Sequence, residues 1–201
     1  MADHPTVLLI LAGPAGVGKS TLCDRLVREV PGFERVVTAT TRPPRPNEAN
    51  GRDYHFLTEA DFDARLAAGD FLEWAWVHKR YRYGTPKSTV LERLRHTCLV
   101  MNVDVQGVRS IRAAAQTTPE LRGRLVTMFV APDSMEVLRT RLEGRGPVTP
   151  EELERRLQSA EFEMAERASY DYVIHSGTKE QDFRALLDFW EQAKAKLGYG
   201  C

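Results

Sequence analysis

Continuous apolar stretches alternate along this chain with segments whose apolar residues recur at helical spacing. The stretch TVLLILAG at residues 6–13 is apolar throughout, which is typical of a strand buried on both faces of a parallel sheet. Further strands are predicted at residues 35–41, 53–57, 71–78, 98–103, 124–132 and 171–175. Strands that alternate with helices favour an α/β fold, in which helices flank a parallel sheet.

Helix boundaries are predicted from capping residues and from proline and glycine. A helix over residues 20–30 ends where a Pro-Gly pair breaks the apolar spacing. Thr58 is the predicted N-cap of the next helix, and Thr85 with Pro86 is predicted to supply the N-cap and first residue of another. The remaining helices are predicted at residues 104–115, 133–144, 149–168 and 183–197.

Two segments interrupt the strand–helix alternation. Residues 37–96 are richer in aromatic residues, loops and short strands, which predicts an inserted lobe. Residues 139–156 combine arginines with several glycines and prolines, which predicts a mobile excursion from the core. The predicted core then consists of residues 1–36, 97–138 and 157–201.

Composition restricts the classes of partner. The 201 residues contain 28 Lys plus Arg and 28 Asp plus Glu, so the formal net charge is zero. A neutral chain of this size predicts one domain that coats neither nucleic acid nor an anionic membrane. Cys23, Cys98 and Cys201 lack metal-ligand spacing and are predicted to be reduced thiols of a cytoplasmic protein. The oligomeric state stays open.

A glycine-rich turn follows the first apolar run. GPAGVGKST matches the pattern G-x-x-x-x-G-K-[ST] at Gly13, Gly18, Lys19 and Ser20, between a predicted strand and a predicted helix. Such a loop turns backbone N–H groups towards phosphate oxygens, while the lysine reaches the β- and γ-phosphates and the hydroxyl ligates Mg²⁺. The residues predicted to bind a nucleoside triphosphate are Gly13, Pro14, Ala15, Gly16, Val17, Gly18, Lys19, Ser20 and Thr21.

A stiff basic loop lies in the inserted lobe. Arg42 and Arg45 stand among three prolines in TTRPPRPNEANGRDYHF, and Tyr54 adds a phenolic donor. Fixed guanidinium groups offset the repulsion between two phosphates that are brought together, so the loop could hold a second phosphorylated substrate. A solvated basic surface loop is the alternative.

One acidic residue lies in apolar surroundings. Glu73 stands between Phe71 and the two tryptophans Trp74 and Trp76, and a buried carboxylate needs hydrogen-bond donors. Guanine offers an adjacent N1–H and amino group, whereas adenine has no such pair. A carboxylate that faces solvent from an edge strand is the alternative interpretation.

Taken in order along the chain, these motifs resemble those of the guanylate kinase family. The resemblance rests on GPAGVGKSTL, TTRPPRPNEANGRDYHF, GDFLEWAWVH, YGT, VDVQGV, RLEGRG and YDYVI, and it covers nearly the whole chain. It implies a P-loop core, an inserted lobe that binds GMP or dGMP, and a lid that closes on ATP. The implied reaction is phosphoryl transfer from ATP to GMP with Mg²⁺ and without a covalent enzyme intermediate.

The resemblance also implies roles for matching positions. The implied GMP-binding residues are Thr38, Arg42, Arg45, Tyr54, Glu73, Tyr83, Thr85 and Asp104. The implied catalytic residues are Lys19, Arg42, Arg141, Arg145 and Arg156, and Ser20 is the implied metal ligand. The lid arginines could instead form surface ion pairs with Glu143 and Glu152.

Three features depart from the family pattern. Asn102 stands where an aspartate is usual, the segment from Glu73 to Tyr83 is one residue longer, and HSGTKE replaces an asparagine-containing turn near the adenine. Two other functions remain open. One is a scaffold-type binding module, which the intact P-loop disfavours, and the other is a kinase of the same architecture that acts on a different phosphorylated acceptor.

Overall fold

The computed structural model describes residues 6–77, 80–144 and 148–198, so the predicted site residue Arg145 lies outside the described residues. The strands are β1 (Leu8–Ala12), β2 (Phe33–Arg35), β3 (Ala39–Thr40), β4 (His55–Phe56), β5 (Phe71–Val77), β6 (Tyr81–Pro86), β7 (Cys98–Asn102), β8 (Leu125–Pro132) and β9 (Tyr172–Ser176). The helices are α1 (Lys19–Glu29), α2 (Glu59–Ala67), α3 (Lys87–Arg93), α4 (Val105–Thr117), α5 (Met135–Glu143), α6 (Pro150–Ala165) and α7 (Lys179–Leu197).

Five strands form a central sheet in the order β2-β7-β1-β8-β9, and every pairing in it is parallel. The predicted α/β fold with a parallel sheet is therefore confirmed. Because the strands are parallel, their carboxyl ends meet at one edge, and the loops that follow β1, β7 and β9 come together there. The predicted site residues of the core that lie on these loops are Gly13 to Gly18 and Asp104, and Lys19 and Ser20 begin α1 directly after the first loop.

The central strand β1 is buried on both faces, as its apolar run predicted. Leu9 and Leu11 belong to one hydrophobic cluster, whereas Leu8, Ile10 and Ala12 belong to another, and all five are fully buried. Side chains from α1, α5, α6 and α7 complete the first cluster, while α3 and α4 contribute to the second. The two clusters are the cores of a three-layer sandwich of helices, sheet and helices.

A second, smaller sheet is built from strands within residues 37–96 and has the order β4-β3-β6-β5. β5 and β6 form an antiparallel pair in which Glu73 lies opposite Thr85 and Ala75 lies opposite Tyr83. Helix α2 begins after Thr58, whose side chain accepts a hydrogen bond from the N–H of Asp61, as its predicted capping role requires.

A buried arginine joins α2 to the small sheet. Arg82 of β6 forms ion pairs with Glu59 and Asp63 of α2. Its guanidinium also lies over the rings of Phe62, at 4.6 Å, and Trp76, at 5.4 Å. The arginine therefore acts here as a packing element that brings a helix onto the sheet.

Three local predictions are corrected by the structure. The helix predicted to start at Thr85 and Pro86 starts at Lys87, because both residues belong to β6 and the Thr85 hydroxyl bonds to Glu73 instead of capping a helix. The strand predicted over 35–41 is divided between β2 and β3. Helix α7 begins at Lys179, before the predicted start, because Thr178 and Gln181 form a capping box there.

Within the described part of the chain, no helix combines the length and the apolar character that crossing a membrane requires.

Candidate active site

The glycine-rich loop turns tightly between β1 and α1. Gly13, Gly16 and Gly18 have φ values of 130°, 97° and 103°, in the region that favours glycine. A Cβ atom on Gly13 would lie 2.3 Å from the carbonyl oxygen of Val130 in β8, so a side chain cannot be accommodated there. The loop is thus held close to the neighbouring strand, and its backbone can curl around an anion.

Lys19, the first residue of α1, reaches back across the loop. Its Nζ donates hydrogen bonds to the carbonyl oxygens of Gly13 and Pro14, the second at 2.9 Å. The ammonium group therefore lies over the loop, beside the N-terminus of α1, where the helix dipole also favours a negative charge. Ser20 follows in the first turn of α1 and is exposed.

A cavity of about 690 Å³ opens beside the loop. Its lining includes Gly16, Gly18 and Thr21 from the loop and α1, together with Arg141 of α5 and Gly177 after β9. This volume lies within the usual range for pockets that take a small organic ligand. The structure therefore brings predicted ATP-binding residues and one predicted lid arginine to the same cavity.

The two other predicted lid arginines are Arg145 and Arg156. Arg156 forms an ion pair with Glu152 one turn earlier in α6, at 2.9 Å, which is the surface pairing that the sequence left open as an alternative. Arg145 lies outside the described residues. Arg141, in α5, instead donates to the Ser176 hydroxyl at 2.8 Å and to the Gly177 carbonyl oxygen at 3.0 Å.

On the inserted lobe, a guanidinium group is fixed among aromatic and acidic side chains. Arg42 donates from Nη2 to both carboxylate oxygens of Glu48, at 2.8 and 2.9 Å, and from Nε to the Tyr83 hydroxyl at 3.1 Å. The ring of Tyr54 lies 5.4 Å from the guanidinium carbon and packs edge-on against Tyr83. Three of the residues predicted to hold the acceptor phosphate are therefore in mutual contact.

The basic loop owes its shape to short-range hydrogen bonds. Glu48 accepts from the backbone N–H of Arg45 at 2.8 Å, and this contact, with Arg42, lowers the pKa of Glu48. The Thr40 hydroxyl accepts from the N–H of Arg42 and donates to the Arg82 carbonyl oxygen. The Arg45 side chain is exposed, and Thr38 precedes β3, where its carbonyl oxygen accepts from the N–H of His55.

Glu73 is buried, with 9 % of its surface exposed, and it does not face solvent as the alternative interpretation supposed. Its Oε1 accepts from the Thr85 hydroxyl at 2.6 Å. Burial raises the pKa of Glu73 to about 7, against the lowering effect of the Thr85 hydrogen bond, and the nearby charge of Asp104 raises it further. One hydrogen bond thus only partly compensates this carboxylate, and added donors would stabilise its ionised form.

Gly107 separates the two carboxylates at this end of α4. A Cβ atom on Gly107 would lie 3.4 Å from Oε2 of Glu73 and 3.4 Å from Oδ1 of Asp104. Asp104 is exposed and caps α4 by accepting from the N–H of Gly107 at 2.7 Å. The missing side chain therefore leaves room for both carboxylates to approach the same space.

The side chain of Asn102 accepts a hydrogen bond from an arginine. Its Oδ1 accepts from Nη2 of Arg35 at 2.8 Å, and Arg35 also forms an ion pair with Asp24 of α1. Among the described residues, no group of three or more His, Cys, Asp or Glu side chains could hold a metal ion by itself. The exposed hydroxyl of Ser20 fits the oxygen preference of Mg²⁺, which usually keeps several waters and binds chiefly through substrate phosphates.

One acidic residue near the loop was missed by sequence reasoning. Burial raises the pKa of Glu163 in α6, whereas the charge of Lys19 lowers it and that of Asp104 raises it, so its carboxylate lies within electrostatic reach of both. The signal was present in the spacing, because Leu157 and Ala160 define the buried face of α6 and Glu163 continues it.

The parallel sheet, the glycine-rich loop after its central strand and the lysine over that loop together define an α/β protein of the P-loop class. Comparison with known proteins gives a narrower assignment. The family model described as guanylate kinase matches residues 6–193. The chain belongs to the guanylate kinase family.

Curated relatives and a solved structure agree with this assignment. A guanylate kinase of Bifidobacterium longum is 40% identical over 196 residues, with 97% of each chain covered. One from Nocardia farcinica is 45% identical over 170 residues, covering 83% of this chain and 84% of the relative. The crystal structure of guanylate kinase from Anaplasma phagocytophilum matches with a TM-score of 0.70 at 25% identity, over 94% of this chain and 86% of that one.

Proposed function

We propose that this protein transfers the γ-phosphoryl group of ATP to GMP, giving ADP and GDP. The observation that carries the proposal is the buried carboxylate of Glu73. Its hydrogen bond from the Thr85 hydroxyl, at 2.6 Å, compensates only part of the cost of burying this group. A purine edge with two adjacent N–H donors would satisfy this carboxylate, and guanine provides such an edge.

On the donor side, the loop from Gly13 to Thr21 would hold the phosphates of ATP. Its glycines allow backbone N–H groups to face the phosphate oxygens, and Lys19 already lies over the loop. In the transition state, Lys19 would stabilise charge on the β- and γ-phosphates. Positive charge around the transferred group would be added by three arginines of the proposed lid, Arg141, Arg145 and Arg156.

On the acceptor side, Arg42, Arg45, Tyr54 and Tyr83 would hold the phosphate of GMP. Arg42 is already oriented by Glu48 and Tyr83, so little side-chain freedom would be lost on binding. A GMP phosphate oxygen would attack the γ-phosphorus of ATP in line, forming one P–O bond as the bond to ADP breaks. No general base is needed, because the attacking phosphate is already ionised.

The guanine base would lie against Glu73 and Thr85, with Thr38 and Asp104 nearby. Glu73 would accept from N1–H and from the exocyclic amino group, which raises the affinity for guanine and favours the ionised carboxylate. Adenine would leave Glu73 with only its hydrogen bond from Thr85, so AMP would be rejected. The same pocket would accept dGMP, because the proposed contacts involve the base and the phosphate.

A magnesium ion bound with ATP would be held by the Ser20 hydroxyl and the phosphates, and it would neutralise developing phosphate charge. Asn102 would take no direct part, since its oxygen already accepts from Arg35. Residues 1–36, 97–138 and 157–201 would act as the core, residues 37–96 as the GMP lobe and residues 139–156 as the lid. Closure of the GMP lobe and the lid would exclude water from the reaction.

We place this reaction in the cytoplasm, where ATP and GMP are available. The cysteines agree with a reducing compartment, because Cys23 is a buried free thiol whose pKa is raised to about 12 by burial. Small nucleotides are the only partners that the proposal requires.

The test is an acceptor panel with a coupled assay for ADP. We expect high activity with GMP and dGMP, little with AMP or UMP, and a marked loss with IMP, which keeps N1–H but lacks the exocyclic amino group. Ribose phosphates test the alternative in which another phosphorylated molecule is the acceptor. Activity confined to an acceptor without guanine would overturn the assignment.

A further inference from the structure

A buried aspartate lies close to the donor cavity without belonging to the P-loop. Asp182, in the first turn of α7, is only 6 % exposed and lines the cavity. Its Oδ1 accepts from the N–H of Gly177 at 2.7 Å, and its Oδ2 accepts from the Ser176 hydroxyl at 2.9 Å. One carboxylate therefore fixes both residues at the carboxyl end of β9.

Those two residues are the ones that hold Arg141. The Ser176 oxygen accepts from Nη1 of Arg141 at 2.8 Å, and the Gly177 carbonyl oxygen accepts from Nη2 at 3.0 Å. A serine hydroxyl has a single proton. When that proton is donated to Asp182, the oxygen lone pairs point towards the guanidinium, so the carboxylate sets the direction in which Ser176 accepts.

The same arrangement occurs at the other end of the same strand. Nη2 of Arg112 donates to the Thr127 hydroxyl at 2.8 Å, and that hydroxyl donates to Oδ2 of Asp171 at 2.7 Å. Asp171 also accepts a backbone N–H, that of Thr127, at 2.8 Å. This second arrangement precedes β9, on the edge of the sheet opposite the P-loop, and offers a matched comparison in the same molecule.

We propose that Asp182 is a positioning residue for phosphoryl transfer, which acts through Ser176 and Gly177 to hold the guanidinium of Arg141 over the donor cavity. This inference rests on the proposed function, in which Arg141 contacts the ATP phosphates. A guanidinium held in place before the substrate binds loses little conformational freedom on binding. It also needs little reorganisation as charge develops in the transition state.

The experiment compares Asp182→Asn and Ser176→Ala with Asp171→Asn as the matched control. We expect Asp182→Asn to lower kcat about tenfold and to weaken ATP binding several-fold, with Ser176→Ala smaller in the same direction. Asp171→Asn should lower the melting temperature but leave both quantities unchanged. A fall in melting temperature without a fall in kcat for Asp182→Asn would overturn the proposal.

The decisive measurement is made in an Arg141→Ala background. If Asp182 acts through Arg141, adding Asp182→Asn to Arg141→Ala lowers kcat no further, so the two changes are not additive. If the two effects multiply, the carboxylate acts in another way and the proposal fails. Should Asp182→Asn fail to fold, the same cycle is run with Ser176→Ala and Arg141→Ala.

The binding arm uses calorimetric titration of ATP without an acceptor. Its result does not depend on which acceptor the enzyme uses. An acceptor panel that excludes guanine would therefore refute the proposed reaction while leaving the coupling between Asp182 and Arg141 measurable. Equal ATP affinity in the parent protein, Asp182→Asn and Arg141→Ala would refute the positioning role alone.

Discussion

The proposed donor and acceptor sites would hold anions by different means. On the donor side, the cradle is made of backbone, with Gly13 and Gly18 at positive φ and Lys19 bound to loop carbonyl oxygens. On the acceptor side it is made of side chains, each held by another, as Arg42 is by Glu48 and Glu73 is by Thr85.

This difference has physical consequences. A backbone cradle reads charge and the spacing of phosphates, which every nucleoside triphosphate shares. A side-chain cradle can read the edge of one base, but it must keep charged groups in partly buried positions before the substrate arrives. We therefore expect changes on the donor side to stop turnover for any acceptor, and changes on the acceptor side to alter which acceptor is used and at what pH.

The largest expected effect follows from Lys19→Ala. Loss of a charge that the transition state needs should lower kcat about 10³-fold for every acceptor, with little change in the melting temperature. Steady-state kinetics with GMP and dGMP provide the measurement, and Lys196→Ala, an exposed change in the last turn of α7, is the control. Near-normal turnover would contradict the role of Lys19.

A smaller and more selective effect is expected from Glu73→Gln. The glutamine side chain would place its N–H group against an N–H group of guanine, and two donors cannot form a hydrogen bond. We therefore expect kcat/KM for GMP to fall about 100-fold while the KM for ATP stays unchanged. The exposed change Glu92→Gln in α3 is the control. Equal losses for ATP and GMP would show that the substitution disturbs the whole site and not the acceptor pocket.

The KM for GMP should change about tenfold with pH. With a pKa of about 7, Glu73 is mostly protonated at about pH 6 and mostly ionised at about pH 8, so the KM for GMP should fall about tenfold across this interval. The phosphate of GMP also titrates near pH 6, but Glu73→Gln removes only the contribution of Glu73. An unchanged pH profile in that variant would exclude Glu73 as the titrating group.

The stability of the free protein should fall over the pH range in which its affinity for GMP rises. The folded-state pKa of Glu73, about 7, lies above the ordinary value of 4.5, so the folded protein binds the proton more tightly than the unfolded chain. This contribution to stability is present below about pH 4.5 and is lost as the pH rises through 7. Glu73→Gln should therefore raise the melting temperature at about pH 8 while it lowers activity, and differential scanning calorimetry measures it.

The smallest expected effect comes from Thr85→Val. Without the hydroxyl, the pKa of Glu73 rises further, because the Thr85 hydrogen bond lowers it. The KM for GMP should rise about threefold near pH 7, and the pH profile should move to higher pH. Thr117→Val, an exposed change at the end of α4, serves as control. A KM increase without any movement of the profile would mean that Thr85 acts only by contact.

Much of the donor side could be predicted from sequence, because its signals are local. The P-loop pattern lies within nine consecutive residues, and a continuously apolar run marks β1 as buried on both faces. The parallel sheet and the family assignment are confirmed by the structure and the comparisons. The roles assigned to individual residues remain predictions.

The acceptor side was harder to predict, because its geometry depends on strand register. Strand β6 was not predicted, since its polar residues lack the usual alternation and its last two residues resemble the start of a helix. Only its pairing with β5 places Thr85 opposite Glu73. Likewise, no local pattern connects Asp182 with Arg141, because the contact joins the two through residues at the end of β9.

The burial of β1 in both cores affects how the protein opens. Because its side chains pack above and below the sheet, β1 cannot separate from either layer without exposing both, so its amide hydrogens should be among the last to exchange with solvent. The loop that follows β1 is thereby anchored to the most persistent part of the molecule. The small sheet can then fluctuate while the glycine-rich loop keeps its shape.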